Sequence, residues 1–162
     1  MIYFIFSLII IIILLITFKS CRKLWALKKI VEKFKLAGYT ITDAKIKGID
    51  FLAIKDNKKY VIKVVYNFDC AEISVNSKNF WQKNKGAVAS RKSGNKIPNV
   101  YDLINLDLKS NNLTDFKKVH IIYPNAQSLV QVLNECEIAF ITPETKVYGT
   151  FFYNFKDLNK II

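Results

Sequence analysis

Few side chains in this 162-residue chain are of the types that make or break covalent bonds together. The one histidine, His120, lies inside the apolar run Val119-His120-Ile121-Ile122-Tyr123, so a structural role in a core strand competes with that of a base. There is no second histidine, no Cys–His pairing and no Gly-x-Ser-x-Gly turn, and hydrolysis by a nucleophilic triad finds no support. Cys21, Cys70 and Cys136 are odd in number and far apart, with no CxxC pair. Neither a disulfide framework nor a structural zinc site is expected, and a reducing compartment fits. Gly48, Gly86, Gly94 and Gly149 stand isolated rather than grouped as a phosphate-cradling loop, so no nucleotide cofactor is expected. What is left is charge. From Ile73 to Tyr101 there is no acid, while Lys78, Lys83, Lys85, Arg91, Lys92 and Lys96 follow one another, with Phe80 and Trp81 near the start. Cations interleaved with aromatics suit a nucleic-acid backbone, because lysine and arginine neutralise phosphates and rings stack on bases. The same run also reads as the solvated face of a helix.

The whole chain carries 25 Lys+Arg against 13 Asp+Glu, a net +12, which favours an anionic partner or surface. Residues Ile2 to Phe18 form an unbroken apolar stretch with only Ser7 and Thr17 as polar members. As a helix it spans roughly 26 Å, near the short end for crossing a bilayer. Nothing basic precedes it and no small-residue cleavage site follows it, which favours a retained transmembrane anchor over a cleaved signal peptide. Lys19, Arg22, Lys23, Lys28, Lys29, Lys33 and Lys35 come next with one acid, Glu32. Basic residues beside a span resist translocation, so the N-terminus is expected outside and the rest of the chain on the cytoplasmic side of a single-pass membrane protein. Leu24, Trp25, Leu27, Ile30, Val31 and Phe34 recur at helical spacing, which makes residues 19–35 a basic juxtamembrane helix that packs on the domain. Cys21, so close to the membrane, is either an acylation site or an inert thiol.

Gly38 suits the left-handed stop of that helix. Beyond it, Tyr39–Thr42 and Gly48–Lys55 read as β runs, and Asp56-Asn57-Lys58 marks a hairpin turn into Lys59–Tyr66. The last of these is almost continuously apolar, as a strand covered on both faces would be. A further strand is expected at Ala71–Val75, a helix over 77–92, and a short helix followed by irregular chain over 99–116. Then come a strand at Val119–Tyr123, a helix over Ala126–Asn134 and a strand at Glu137–Thr142. Residues 146–162 form an aromatic-rich tail with Tyr148, Phe151, Phe152, Tyr153 and Phe155. Helix, three β runs, helix, strand, helix, strand implies an α/β sheet with a meander at one end and crossover units at the other.

This order, with Gly38-Tyr39, Gly48-Ile49-Asp50, Lys55-Asp56-Asn57 and Tyr60-Val61-Ile62-Lys63-Val64-Val65, resembles the Mrr-like branch of the restriction-endonuclease-like PD-(D/E)xK superfamily over about residues 28–142. The resemblance implies a mixed central sheet flanked by helices in residues 36–145, preceded here by the transmembrane helix of residues 1–18. It also implies a site in which two carboxylates hold Mg²⁺ and a lysine two residues after the second acid steadies negative charge. Asp50 matches the first carboxylate. The second acid position falls on Lys63 with Val65 in the lysine place; with Lys63 as the motif lysine, Val61 takes the acid's place. Either register lacks one acid. Glu72, Glu32 or Asp69 could replace it. Otherwise Asp50 and Lys63 form no more than an ion pair between strands.

The expectation is therefore a membrane-anchored, non-cleaving domain without a cofactor, binding nucleic acid (DNA or RNA) or a protein partner at the cytoplasmic membrane face. In the resembling nucleases the region matching residues 78–96 lies near the DNA-facing side of the sheet. The alternatives are an active Mg²⁺-dependent DNA endonuclease with Asp50 and a relocated acid, and a structural subunit of a membrane complex that docks through the aromatic tail.

Overall fold

A computed structural model describes residues 2–84, 95–97, 102–134 and 137–162, with the backbone alone for 2–16 and 19. The basic juxtamembrane segment and the apolar run before it form one continuous helix, α1 (Ile2–Leu36). The side chains of the expected membrane anchor, Thr17 and Phe18 apart, lie outside the described set. Among the described residues no helix is long and apolar enough to cross a membrane. The helix ends where the sequence says it should. Gly38 adopts φ +87°, its N–H donates to the Lys35 carbonyl (2.9 Å), and the Tyr39 N–H donates to the Phe34 carbonyl (3.0 Å). That pair of bonds closes the helix through a glycine with no Cβ to strain.

Four β-runs then build the part of the sheet the sequence describes best. β1 (Thr40–Thr42), β2 (Phe51–Lys55) and β3 (Lys58–Tyr66) form an antiparallel meander, with Asp56 and Asn57 as the two-residue turn between β2 and β3. β7 (Lys117–Tyr123) adds to β3 in parallel, Lys63 standing opposite His120. β3 is covered on both faces: Val61, Ile62, Val64 and Val65 are all buried.

Elsewhere the expectation of helices is corrected. The 77–92 segment is no helix as far as Asn84: β4 (Glu72–Ser77) turns back into β5 (Phe80–Asn84), and residues 85–92 lie outside the described set. The expected helix 126–134 contains instead β8 (Leu129–Val132), parallel to β4 and paired with β9 (Ile138–Phe140). With β6 (Asn95–Lys96) these strands make a second, five-stranded sheet in the order β6-β5-β4-β8-β9. Among the described residues only the short α2 (Asp102–Asn105) remains of the expected helices between the β-runs, followed by irregular chain as read.

The aromatic tail is not a tail. β10 (Lys146–Val147) and β11 (Thr150–Asn154) complete the first sheet, whose order is β1-β2-β3-β7-β11-β10, with β11 parallel to β7. A 3-10 turn (Phe155–Lys160) closes the chain. Asparagines pin it there: Asn154 Oδ1 accepts the Ala126 N–H (2.7 Å) and Asn125 Oδ1 accepts the Lys156 N–H (2.9 Å). Phe152 and Tyr153 are buried and Phe151 and Phe155 half-buried, leaving Tyr148 as the exposed aromatic of that segment.

The first sheet is thus flanked by α1 on one face and, on the other, mainly by a second sheet, with the short α2 beside it packing Leu103 on Val61. Ala26, Ile30 and Phe34 of α1, one turn apart, pack on Phe51, Tyr60, Ile62, Val64, Ile121 and Tyr153. Burial of the two larger side chains is worth about 1.5–3 kcal/mol each. On the opposite face Val65, Ile122 and Phe152 meet Ile73, Val75, Trp81 and Leu129 of the second sheet.

Candidate functional site

Asp50 stands one residue ahead of β2. Its N–H donates to the Ile62 carbonyl (3.0 Å), and its Oδ2 accepts the Val64 N–H (2.6 Å). The β2–β3 ladder begins at Phe51 opposite Ile62, so the Val64 amide lies beyond the paired stretch. The carboxylate takes the place of the missing strand residue. Burial pushes the Asp50 carboxyl above the ordinary carboxylate range, against the opposing pull of the Val64 bond and of the Lys63 and Lys23 ammonium groups. Its negative charge acts in turn on Tyr66, whose hydroxyl is pushed up to about 12, first by burial and then by Asp50.

Lys63 is thus one of the cations that act on Asp50 electrostatically, and α1 adds a second, Lys23, which the motif reading did not include. Lys23 Nζ lies 5.5 Å from the Tyr66 ring centre and Arg22 lies 4.2 Å from that of Phe68, while the Tyr66 and Phe68 rings stack at 5.9 Å. The basic helix and the Asp50 end of the sheet form one electrostatic neighbourhood. A divalent ion at Asp50 would have to share it with two ammonium groups.

Of the candidate replacement acids, Glu72 and Asp69 are engaged elsewhere. Glu72, in the second sheet, accepts from Ser74 Oγ (3.3 Å) and Asn84 Nδ2 (3.2 Å) through Oε1 and from Ser128 Oγ (2.6 Å) through Oε2. Glu32 is exposed on α1, in a shallow groove with Trp25, Lys28 and Lys29. Asp69 lies 3.5 Å from the Lys83 ammonium. Among the described residues no three His, Cys, Asp or Glu side chains are grouped as a metal site.

His120 is fully buried between the sheets, stacked on Phe152 (5.0 Å, 14°) with Trp81 edge-on at 4.8 Å. Its position is that of a core side chain, as one of the two sequence readings had it. Of the basic run, Lys78 is exposed at the β4–β5 turn, and Lys96 is exposed with Nζ 5.9 Å from the Phe80 ring centre. Lys83 serves the fold instead, donating to the Tyr66 carbonyl (2.6 Å). Lys85, Arg91 and Lys92 lie outside the described residues. No family model, curated protein or solved structure matches the chain.

The Asp50 geometry separates two substitutions. Asp50→Asn keeps an oxygen for the Val64 N–H and removes a charge that burial disfavours, so stability at pH 7 should hold or rise. Asp50→Ala leaves that amide without its acceptor and should lower stability by about 1–3 kcal/mol. The pH dependence has a definite sign. A carboxyl raised in the folded state contributes stability that is complete below its unfolded value, 3.8, and is lost as pH climbs through the raised folded value. Thermal unfolding across that window should show a decline in the wild type that Asp50→Asn lacks.

Proposed function

We propose that the chain is a membrane-anchored domain of the restriction-endonuclease-like type that does not cleave and that binds nucleic acid through basic side chains, on the cytoplasmic side of a single-pass anchor with its N-terminus outside. The observation that carries the non-cleaving reading is the state of Asp50: one carboxylate oxygen is committed to a backbone amide, and the neighbours that act on it electrostatically are Lys63 and Lys23 rather than a second acid. Support for the family reading comes from the element order up to β3; beyond it the helix expected over 126–134 contains the strand β8 instead. A helix closing at Gly38-Tyr39, a short strand, a strand opening after Gly48-Ile49-Asp50, a turn at Asp56-Asn57 and the strand through Tyr60–Val65 follow one another as the resemblance requires. Nucleic acid is favoured by the net charge of +12 and by Lys78 and Lys96 exposed at either side of Phe80.

The test uses the full chain in detergent or nanodiscs, with supercoiled plasmid and with labelled DNA and RNA. No nicking is expected with Mg²⁺, and Asp50→Ala should leave binding intact. Binding should weaken steeply with salt, and Lys78→Gln and Lys96→Gln should each reduce the slope of log K against log salt by about 0.9 on duplex DNA if each touches one phosphate. Nicking that disappears in Asp50→Ala would make the protein a nuclease with a relocated acid. Absence of any salt-dependent binding would leave a protein-docking or structural role.

A further inference from the structure

The described part of α1 is apolar on two opposite sides. One side, Ala26, Ile30 and Phe34, is fully buried under the sheet. At about 100° per residue, Phe18, Cys21, Leu24, Trp25, Lys28 and Glu32 fall on a stripe roughly opposite to it. The domain touches that stripe at one edge, where the Trp25 ring meets Tyr123 edge-on at 6.2 Å, and leaves the rest uncovered: Phe18 is 63% exposed, Leu24 67% and Trp25 59%. Its apolar character stops after Trp25, where Lys28, Lys29 and Glu32 form the shallow groove with the indole, Lys29 Nζ lying 5.0 Å from the ring centre.

We infer that this stripe lies in the lipid headgroup layer, so that the membrane boundary falls between Trp25 and Lys28 rather than at Phe18, and the helix leaves the bilayer obliquely with the domain on its raised side. The inference rests on the proposed anchor and adds where that anchor ends. Three observations carry it. The apolar run of residues 2–18, roughly 26 Å as a helix, falls short of a hydrocarbon core of about 30 Å, and the stripe prolongs it on one side by seven residues, about 10 Å. An indole bordered by lysines is the side-chain combination that settles at a bilayer interface, ring among the headgroups and ammonium groups on phosphates. Lys28 and Lys29 beside one acid, Glu32, match an anionic leaflet, whereas a second copy of the stripe would bring like charges together.

The consequence is a fixed stand-off for the domain. Arg22 over Phe68 and Lys23 over Tyr66 lock the same helical turns to the end of β3, so the depth of Trp25 sets the height of Asp50 above the bilayer.

Tryptophan depth in the reconstituted full chain tests this. Trp81 is buried in the domain, so the signal of Trp25 is the difference between wild type and Trp25→Phe. In vesicles of mixed neutral and anionic phospholipid, spin labels on the headgroup or high on the acyl chain should quench that difference signal most, and labels near the chain terminus least. Lys28→Glu with Lys29→Glu should weaken the quenching, and so should omission of the anionic lipid. Equal indifference to every label, in protein that resists alkaline extraction, would overturn the inference while sparing the anchor. Release of the protein by alkaline extraction would remove the anchor itself.

Discussion

Trp81→Ala is expected to lower the unfolding free energy by about 3–5 kcal/mol, a large fraction of the total for a domain of this size. Trp81 is the side chain by which the second sheet grips the first: it comes from β5, is 1% exposed, and meets His120 of β7 at 4.8 Å and Phe152 of β11 at 5.1 Å. Alanine would leave a void between two sheets whose backbones cannot close on it, because each is held by its own ladder. A second substitution isolates the packing contribution. Among the described residues the indole Nε1 has no hydrogen-bond partner although it is buried. Trp81→Phe fills most of the same space and removes that unpaired donor, whose burial is unfavourable by about 1–3 kcal/mol. It should therefore unfold much closer to wild type than Trp81→Ala in thermal or urea melts of the full chain followed by circular dichroism. Equal losses for the two variants would mean that the indole is held by something other than apolar contact.

The segments that sequence reasoning resolved and those it misread differ in a physical way. The stop at Gly38, the Asp56-Asn57 turn and the apolar strand β3 are local signals: a left-handed glycine, a turn dipeptide, a run buried on both faces. The helical expectation over 77–92 fails as far as Asn84 because alternation there is disguised. In β5, Trp81 and Lys83 share one face while Gln82 and Asn84 share the other, yet Gln82 and Asn84 are both buried, so polar residues do not mark the solvent side. Their hydrogen bonds to Asn76, Glu72 and Ser74 make that burial tolerable, and no pattern of hydropathy announces them. β8 is four residues long and gains its partners from β4, more than fifty positions earlier, so tertiary pairing decided its state.

The aromatic tail did carry a usable signal. Tyr148 and Gly149, at φ +51° and +76°, form a two-residue turn between Val147 and Thr150, which pair across it. A β-rich run after such a turn is a hairpin. Motif spacing already puts Lys63 within electrostatic reach of Asp50, whereas it says nothing of Lys23. Nothing in the order of residues places a lysine of the first helix beside an aspartate 27 positions later until that helix has been laid across the sheet.

The position of Asp50 depends in turn on a glycine two residues before it, and substitution there is the other large effect expected. Gly48 has φ +84°, and a Cβ on it would stand 2.4 Å from Cβ of Asp102, 2.6 Å from its Oδ2 and 2.8 Å from its Cγ. Alanine at this position meets two separate penalties, about 1–2 kcal/mol for the left-handed backbone and about 1–3 kcal/mol for forcing the loop and the start of α2 apart. A loss of about 2–5 kcal/mol follows. The loop would have to lift off Leu103 and its neighbours, against which Ile46 and Ile49 pack, and so pull Asp50 away from the Val64 amide. Because the closest approach is to a Cβ, Asp102→Ala cannot relieve the clash, whereas Asp102→Gly can. Gly48→Ala combined with Asp102→Gly should therefore recover the steric part and retain the backbone part, unfolding between wild type and Gly48→Ala. Additive losses in the double variant, measured in the same melts, would show that the two residues do not meet.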